Sequence, residues 1–308
     1  MQVRRRAFVY LALLVMLVAL FDITFCYQRQ FDLPIEHIDA SADRDIIARG
    51  EYLVYGPARC ADCHGDVNQR EEIAAGNKVS LSGGFSEDIF LGTIVFPNIT
   101  PDEDTGIGRL SDGEIARFIR TGINHRGEYG LPFMNYHTVS RSDLIAILSF
   151  LRAQPPVRNR VARSSYNFLG KLALAYFIRP ESQGAIYSSD ITREPSVEYG
   201  RYLAEALGSC RGCHTNRSLK TGKYLGHAYA GGMLFEHPDN SELNVVSPSL
   251  RPGPGTNTVA TYTREAFVKR MQAGLLLSWS PMPWGPFSRM STSDLEAVYI
   301  YLSSLDPM

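Results

Sequence analysis

The chain has 308 residues, 44% hydrophobic and 20% charged, which describes an ordinary globular protein with room for two domains and an anchor. Its formal charge of −1 excludes the basic footprint of a nucleic-acid-binding protein.

The first element is apolar. Arg4-Arg5-Arg6 precedes an uninterrupted apolar run of 15 residues, Ala7 to Phe21, which Asp22 breaks and Ile23 to Tyr27 continues. The run alone makes about 22 Å of helix, short of the roughly 30 Å hydrocarbon core, but extension to Tyr27 is long enough if Asp22 lies near the far headgroups. Residues 1–27 are therefore expected to form an uncleaved transmembrane helix with the arginines on the cytoplasmic side. A cleaved signal peptide is the rival. Its best small-x-small site, Ala40-Ser41-Ala42, lies too far beyond the apolar run. Cys26 follows Phe25, where lipoprotein processing would need a small residue, so it is expected to be an inert thiol at the membrane boundary.

Two similar halves follow, expected as domains at residues 40–154 and 194–308. Helical apolar spacing predicts helices over Arg44 to Tyr55, Asp112 to Thr121 and Asp143 to Arg152 in the first. In the second it predicts Ser196 to Leu207, Thr263 to Ala273 and Asp294 to Ser304. Gly50-Glu51-Tyr52-Leu53 matches Gly200-Arg201-Tyr202-Leu203, and Ser82-Gly83-Gly84-Phe85 resembles Ala230-Gly231-Gly232-Met233. Ser140 to Asp143 and Ser291 to Asp294 each read as a capping box opening the closing helix, and Gly122 and Gly274 as helix stops. Strand patterns are scarce. The connecting segment, residues 155–193, carries six basic and two acidic residues, and its apolar middle, Tyr166 to Ile178, has helical spacing. That middle reads as a linker helix packed across the domains or, alternatively, as a basic amphipathic helix resting on a membrane or partner protein.

Each half carries one Cys-x-x-Cys-His pattern: Cys60-Ala61-Asp62-Cys63-His64, and Cys210-Arg211-Gly212-Cys213-His214. This is the covalent attachment signature of c-type haem. Two thiols at that spacing add to the two vinyl groups along one porphyrin edge, and the adjacent histidine is carried under the ring as proximal iron ligand. The offset of 150 residues from Cys60 to Cys210 is far too large for a zinc ribbon. Two covalently bound haem c groups are expected, which leaves no cysteines for a disulfide framework and implies export across a membrane.

The second axial ligand decides whether such a haem carries electrons or binds small molecules. In the second half the proline-flanked Met282, in Pro281-Met282-Pro283-Trp284, is the candidate, with Met290 as fallback. In the first half Leu131 aligns with Met282, yet Met134 is the nearest methionine, so Met134 is the candidate, with His137 and then His125 as alternatives.

From these motifs, from Asn98-Ile99-Thr100-Pro101-Asp102 and Thr105-Gly106-Ile107-Gly108, and from the terminal helices, the chain resembles membrane-anchored diheme c-type cytochromes of bacteria. It is similar in particular to the cytochrome subunits of membrane alcohol and aldehyde dehydrogenases. The resemblance implies a mostly α fold of two tandem cytochrome c domains behind a transmembrane helix. It further implies haem domains on the periplasmic side of the inner membrane, and an electron carrier rather than an enzyme. Its partners would be a dehydrogenase or quinol-oxidising complex and a terminal acceptor such as an oxidase. It also implies that Asn98 to Gly108 borders the first haem, although the second half has Ser247-Pro248-Ser249-Leu250 instead. A diheme peroxidase with one open haem is the alternative function.

Overall fold

The computed structural model describes residues 2–25, 27–131, 133–134, 136–180, 191–218, 222–237, 239–253, 259–277 and 279–307; Cys26 lies outside them. Helix α1 (Gln2–Phe25) has 24 residues, about 36 Å at 1.5 Å per residue. Phe8, Leu14 and Phe21 on it stand exposed, and it packs on a later helix, α7. Counting only the described residues, no helix is long and apolar enough to cross a membrane, and several α1 side chains fall outside that count.

In the first half α2 (Arg44–Tyr55) starts at Asp43, whose carboxylate accepts the amides of Asp45 and Ile46. The first cysteine motif forms the one-turn helix α3 (Ala61–His64), followed by α4 (Arg70–Ala74). Strands β1 (Ser86–Ile89) and β2 (Gly92–Val95) make an antiparallel hairpin. Helices α5 (Asp112–Thr121) and α6 (Arg141–Ala153) complete the half; β3 (Ser165–Tyr166) then pairs with β2, and α7 (Phe168–Tyr176) follows. The second half repeats the plan with α8 (Val197–Tyr202), α9 (Cys210–Cys213), the short pair β4 (Leu234–Phe235) and β5 (Val245–Val246), α10 (Arg264–Gln272), α11 (Trp284–Ser288) and α12 (Thr292–Ser303).

The molecule is thus mostly helical, with helix positions close to those the apolar spacing predicts. One expected helix changes character. Ser196 to Leu207 is α-helical only as far as Tyr202, and Leu203–Leu207 winds as a π-helix. The wider turn recurs in the first half: Ala58 donates its amide to the Leu53 carbonyl at 2.9 Å, as Gly208 does to Leu203 at 2.8 Å. Both hydrogen bonds reach five residues back and swing the chain into the cysteine motif.

In each half the opening helix crosses the closing one at a glycine. A Cβ on Gly50 would lie 1.9 Å from the Ala146 carbonyl oxygen, and one on Gly200 1.9 Å from that of Ala297. Backbone atoms cannot move aside as a side-chain tip can. Gly50→Ala and Gly200→Ala are each expected to lower stability by about 3 kcal/mol, measured by thermal unfolding. Gly130→Ala, where an added Cβ meets nothing within 4 Å, should be silent.

The closing helices correct one expectation. Ser140 and Ser291 do cap α6 and α12 by accepting the amides of Asp143 and Asp294, but neither aspartate returns to its own cap. The complete capping box forms instead at Ser111 and Glu114 on α5. The aspartates bond across the molecule, where tyrosine hydroxyls outreach a cap amide. Tyr52 of the first half donates to Asp294 at 2.6 Å and accepts the Ser291 amide. Reciprocally, Tyr202 donates to Asp143 at 2.8 Å and accepts the Ser140 amide. The two halves are joined by this pseudo-two-fold exchange, and one continuous apolar cluster, with Leu53, Leu148, Leu203 and Leu302 in it, runs through both.

Candidate haem-binding sites

Each cysteine motif is entered through a strained residue. Arg59 and Ser209, immediately before Cys60 and Cys210, have φ of 43° and 50°, left-handed values that side-chain-bearing residues avoid. The turn closes the one-turn helices α3 and α9, in which the amides of His64 and His214 bond to the carbonyls of Cys60 and Cys210. Burial, with a neighbouring thiol second, pushes the Cys60 thiol up to about 12. Burial likewise raises Cys63 to about 11 and Cys210 to about 12.

Both histidines are buried, and both are held the same way. The Nδ1–H of His64 donates to the Pro97 carbonyl at 2.9 Å, and that of His214 to the Pro248 carbonyl at 2.9 Å. A carbonyl only accepts, so the neutral ring carries its proton on Nδ1 and keeps the Nε2 lone pair for an iron ligand bond. Burial also lowers both imidazole pKa values, which disfavours protonation at Nε2. Behind each histidine sits one of the paired glycines. The amides of Gly83 and Gly231 donate to the carbonyls of His64 and His214 at 2.9 and 2.8 Å. Gly83 and Gly231 both have φ of 72°, and a Cβ on either would lie 2.5 Å from the backbone next to Pro97 or Pro248.

These donors fit a covalent haem. Each site has two thiols one helical turn apart and an imidazole with a free Nε2. Beside the first, the buried Nε of Arg59 has no acceptor, as suits a group that brings carboxylates of its own. Among the described residues no group of three or more His, Cys, Asp or Glu could hold a bare metal ion.

The structure brings the first candidate methionine loop to the first motif. Met134 is half-buried and packs on the core. Beside it the Phe133 ring meets Phe96 edge-on at 6.0 Å, and Phe96 meets His64 edge-on at 6.1 Å. Tyr136 donates its hydroxyl to the Ala58 carbonyl at the mouth of the first motif. Buried Arg120, at the end of α5, holds the rest of the loop through the carbonyls of His137 and Val139. Leu131 and His137 are half-buried and His125 is exposed, while Pro132 lies outside the described residues. In the second half Met282 is half-buried on the core, and Trp284 beside it bonds through its indole N–H to Ser280. The Arg270 guanidinium stacks on the Trp284 ring at 3.6 Å. Met290 is buried in the core.

Sequence reasoning missed Pro97 and Pro248, whose signal was available: they lie 33 and 34 residues after their histidines. They also show that the true counterpart of Pro97-Asn98 is Pro248-Ser249. The Asn98 to Gly108 loop bonds within itself and to the segment 154–159 that follows α6. Asn98 donates to the Val157 carbonyl at 2.7 Å, and Asp102 accepts from the amide and hydroxyl of Thr105.

No protein-family model matches the chain. One of the subunits of nicotinate dehydrogenase from Pseudomonas putida is 29% identical over 80% of this chain and 20% of its own length. A diheme cytochrome c-type protein of Cereibacter sphaeroides is 30% identical over 56% of this chain and 57% of its own. The cytochrome c subunit of the quinone-linked alcohol dehydrogenase of Gluconobacter oxydans is 27% identical over 86% of this chain and 55% of its own. Of these relatives one is named as a diheme cytochrome and one as the cytochrome c subunit of a dehydrogenase. The chain spans between a fifth and rather more than half the length of the relatives it matches.

Proposed function

We propose that the chain is a membrane-anchored carrier of single electrons with two covalently bound haem c groups. Cys60 and Cys63 would hold one by thioether bonds, with His64 and Met134 as axial ligands. Cys210 and Cys213 would hold the other, with His214 and Met282. The duplicated histidine lock, Nδ1 to a proline carbonyl with Nε2 left open, carries this reading. Haem so bound supplies reversible one-electron iron chemistry. The chain's own part is to orient each imidazole through Pro97 or Pro248, to hold the methionine loops through Arg120 and Arg270, and to keep water away by burial. A thioether opposite an imidazole favours a higher potential than two nitrogens.

The relatives support a dehydrogenase as electron donor, and none of those named above is a peroxidase. A quinol-oxidising complex is the other donor we propose, with a terminal oxidase as acceptor. Helix α1, apolar from Ala7 to Phe21 behind three arginines, is the proposed anchor, placing the haem domains on the periplasmic face of a bacterial inner membrane.

The full chain, produced with a cytochrome c maturation system, should carry two covalent haems by intact mass and by haem-to-protein ratio. Cys60→Ser with Cys63→Ser should keep one. A wild-type chain with a single haem, or with haem lost on acid–acetone extraction, refutes the reading. The protein should also stay with membranes through an alkaline wash.

A further inference from the structure

The apolar middle of the linker segment is not absorbed by electron transfer. It forms α7, which packs against α1, and much of its apolar surface faces outward. Phe168 is 52%, Leu169 44% and Phe177 76% exposed. Phe90, at the tip of the β1–β2 hairpin, is 79% exposed beside them.

This patch is rigid. Asn167 caps α7 and donates from its side chain to the Phe90 carbonyl at 2.7 Å, which fixes the hairpin tip at the helix start. Gly170 lies so close to the Leu91 carbonyl that a Cβ there would come within 2.1 Å of its oxygen. Cations and tyrosines rim the patch where α1 ends. Lys171 lies over the Tyr27 ring at 5.2 Å, Arg29 over the Tyr176 ring at 5.5 Å, and Tyr27 meets Tyr166 edge-on at 6.0 Å. Arg179 donates to the carbonyls of Leu174 and Ala175 at the far end of α7.

We propose that α7 and the Phe90 hairpin tip form a bilayer-docking face. They would lie flat in the headgroup region beside the point where α1 leaves the membrane. A helix of nine residues, about 14 Å, is too short to span but suits the interface plane. Its apolar side chains continue the exposed apolar surface of α1, and its rim of tyrosine, lysine and arginine is the chemistry of a membrane interface, attractive to anionic lipid. Such docking would hold the haem domains at one fixed attitude to the membrane. The proposal rests on α1 crossing the bilayer, and the test separates the two.

The full chain carrying Cys26→Ser is reconstituted into phosphatidylethanolamine–phosphatidylglycerol vesicles. A nitroxide is attached at Phe90→Cys, Phe177→Cys or, as control, Leu276→Cys, which is 65% exposed in the second half. An unchanged visible spectrum checks the fold of each variant. Labels at 90 and 177 are expected to meet dissolved oxygen more than a water-soluble nickel chelate, and the label at 276 the reverse. Protein that floats with the vesicles while its 90 and 177 labels meet the chelate as freely as 276 overturns the docking face and leaves the anchor standing. Labels at 90 and 177 shielded from both reagents also overturn it, because protein rather than lipid then covers the patch. Protein that fails to float overturns the anchor and the docking face together.

Discussion

Met134→Ala is expected to convert the first haem from low-spin to high-spin and to abolish its thioether–iron charge-transfer band. The loop holding Met134 is clamped just beyond it, by Tyr136 on the Ala58 carbonyl and by Arg120 on His137 and Val139. Truncating the side chain therefore leaves the loop in place and removes only the thioether. The potential of that haem should fall by on the order of 100 mV, a fraction of the roughly 0.8 V that axial ligation spans. Carbon monoxide should begin to bind. Met282→Ala should do the same at the second haem alone, since its loop is held separately by Ser280 and by Arg270 on Trp284. Leu131→Ala should leave both low-spin spectra unchanged although Leu131 occupies the aligned position. Electron paramagnetic resonance with a redox titration reads all three. A high-spin haem in the wild-type protein would point to an open distal site and the peroxidase reading, and a silent Met134→Ala moves the ligand to His137.

Asp143→Ala is expected to be the most destabilising change at the junction of the halves, by about 3–5 kcal/mol. Its carboxylate is buried and takes two parallel hydrogen bonds from Arg49, each 3.0 Å, besides those from Tyr202 and Arg193. Arg49 is itself 15% exposed on its side chain, so removing the carboxylate strands a largely buried cation. The pseudo-symmetric Asp294→Ala should cost less, about 1–3 kcal/mol. Asp294 accepts from the hydroxyls of Tyr52 and Tyr199, which are neutral when stranded. Chemical denaturation of the holoprotein, followed at both haems, checks the order. Because each aspartate is bonded from the other half, the spectra of both haems should change in one transition; two separate transitions would show that the exchange of tyrosines does not couple the halves.

A good part of this was legible in the residues alone. The two Cys-x-x-Cys-His motifs were legible because thioether attachment, the reading proposed for them, demands two thiols and a histidine at one spacing, whatever the surroundings. The helices were legible because α2, α5, α6 and α12 are amphipathic and start at hydroxyl or carboxylate caps that sequence displays. The capping boxes at Ser140 and Ser291 were half right, since a local motif states which groups are near but not which competitor wins. Here the competitors, Tyr202 and Tyr52, come from 62 and 239 residues away.

The sequence by itself determined the duplicated plan and the two Cys-x-x-Cys-His motifs, proposed above as covalent attachment points with proximal histidines, all of which follow from local spacing and chain chemistry. Only the tertiary structure decided which carbonyl orients each imidazole, because Pro97 and Pro248 reach their histidines across a loop closed by paired glycines. It also decided which arginine holds each methionine loop, through a backbone carbonyl in one half and an indole face in the other. That the two halves exchange tyrosines onto each other's closing helices is likewise a tertiary fact. It arises where two similar surfaces meet about a pseudo-two-fold axis, which a linear repeat does not reveal.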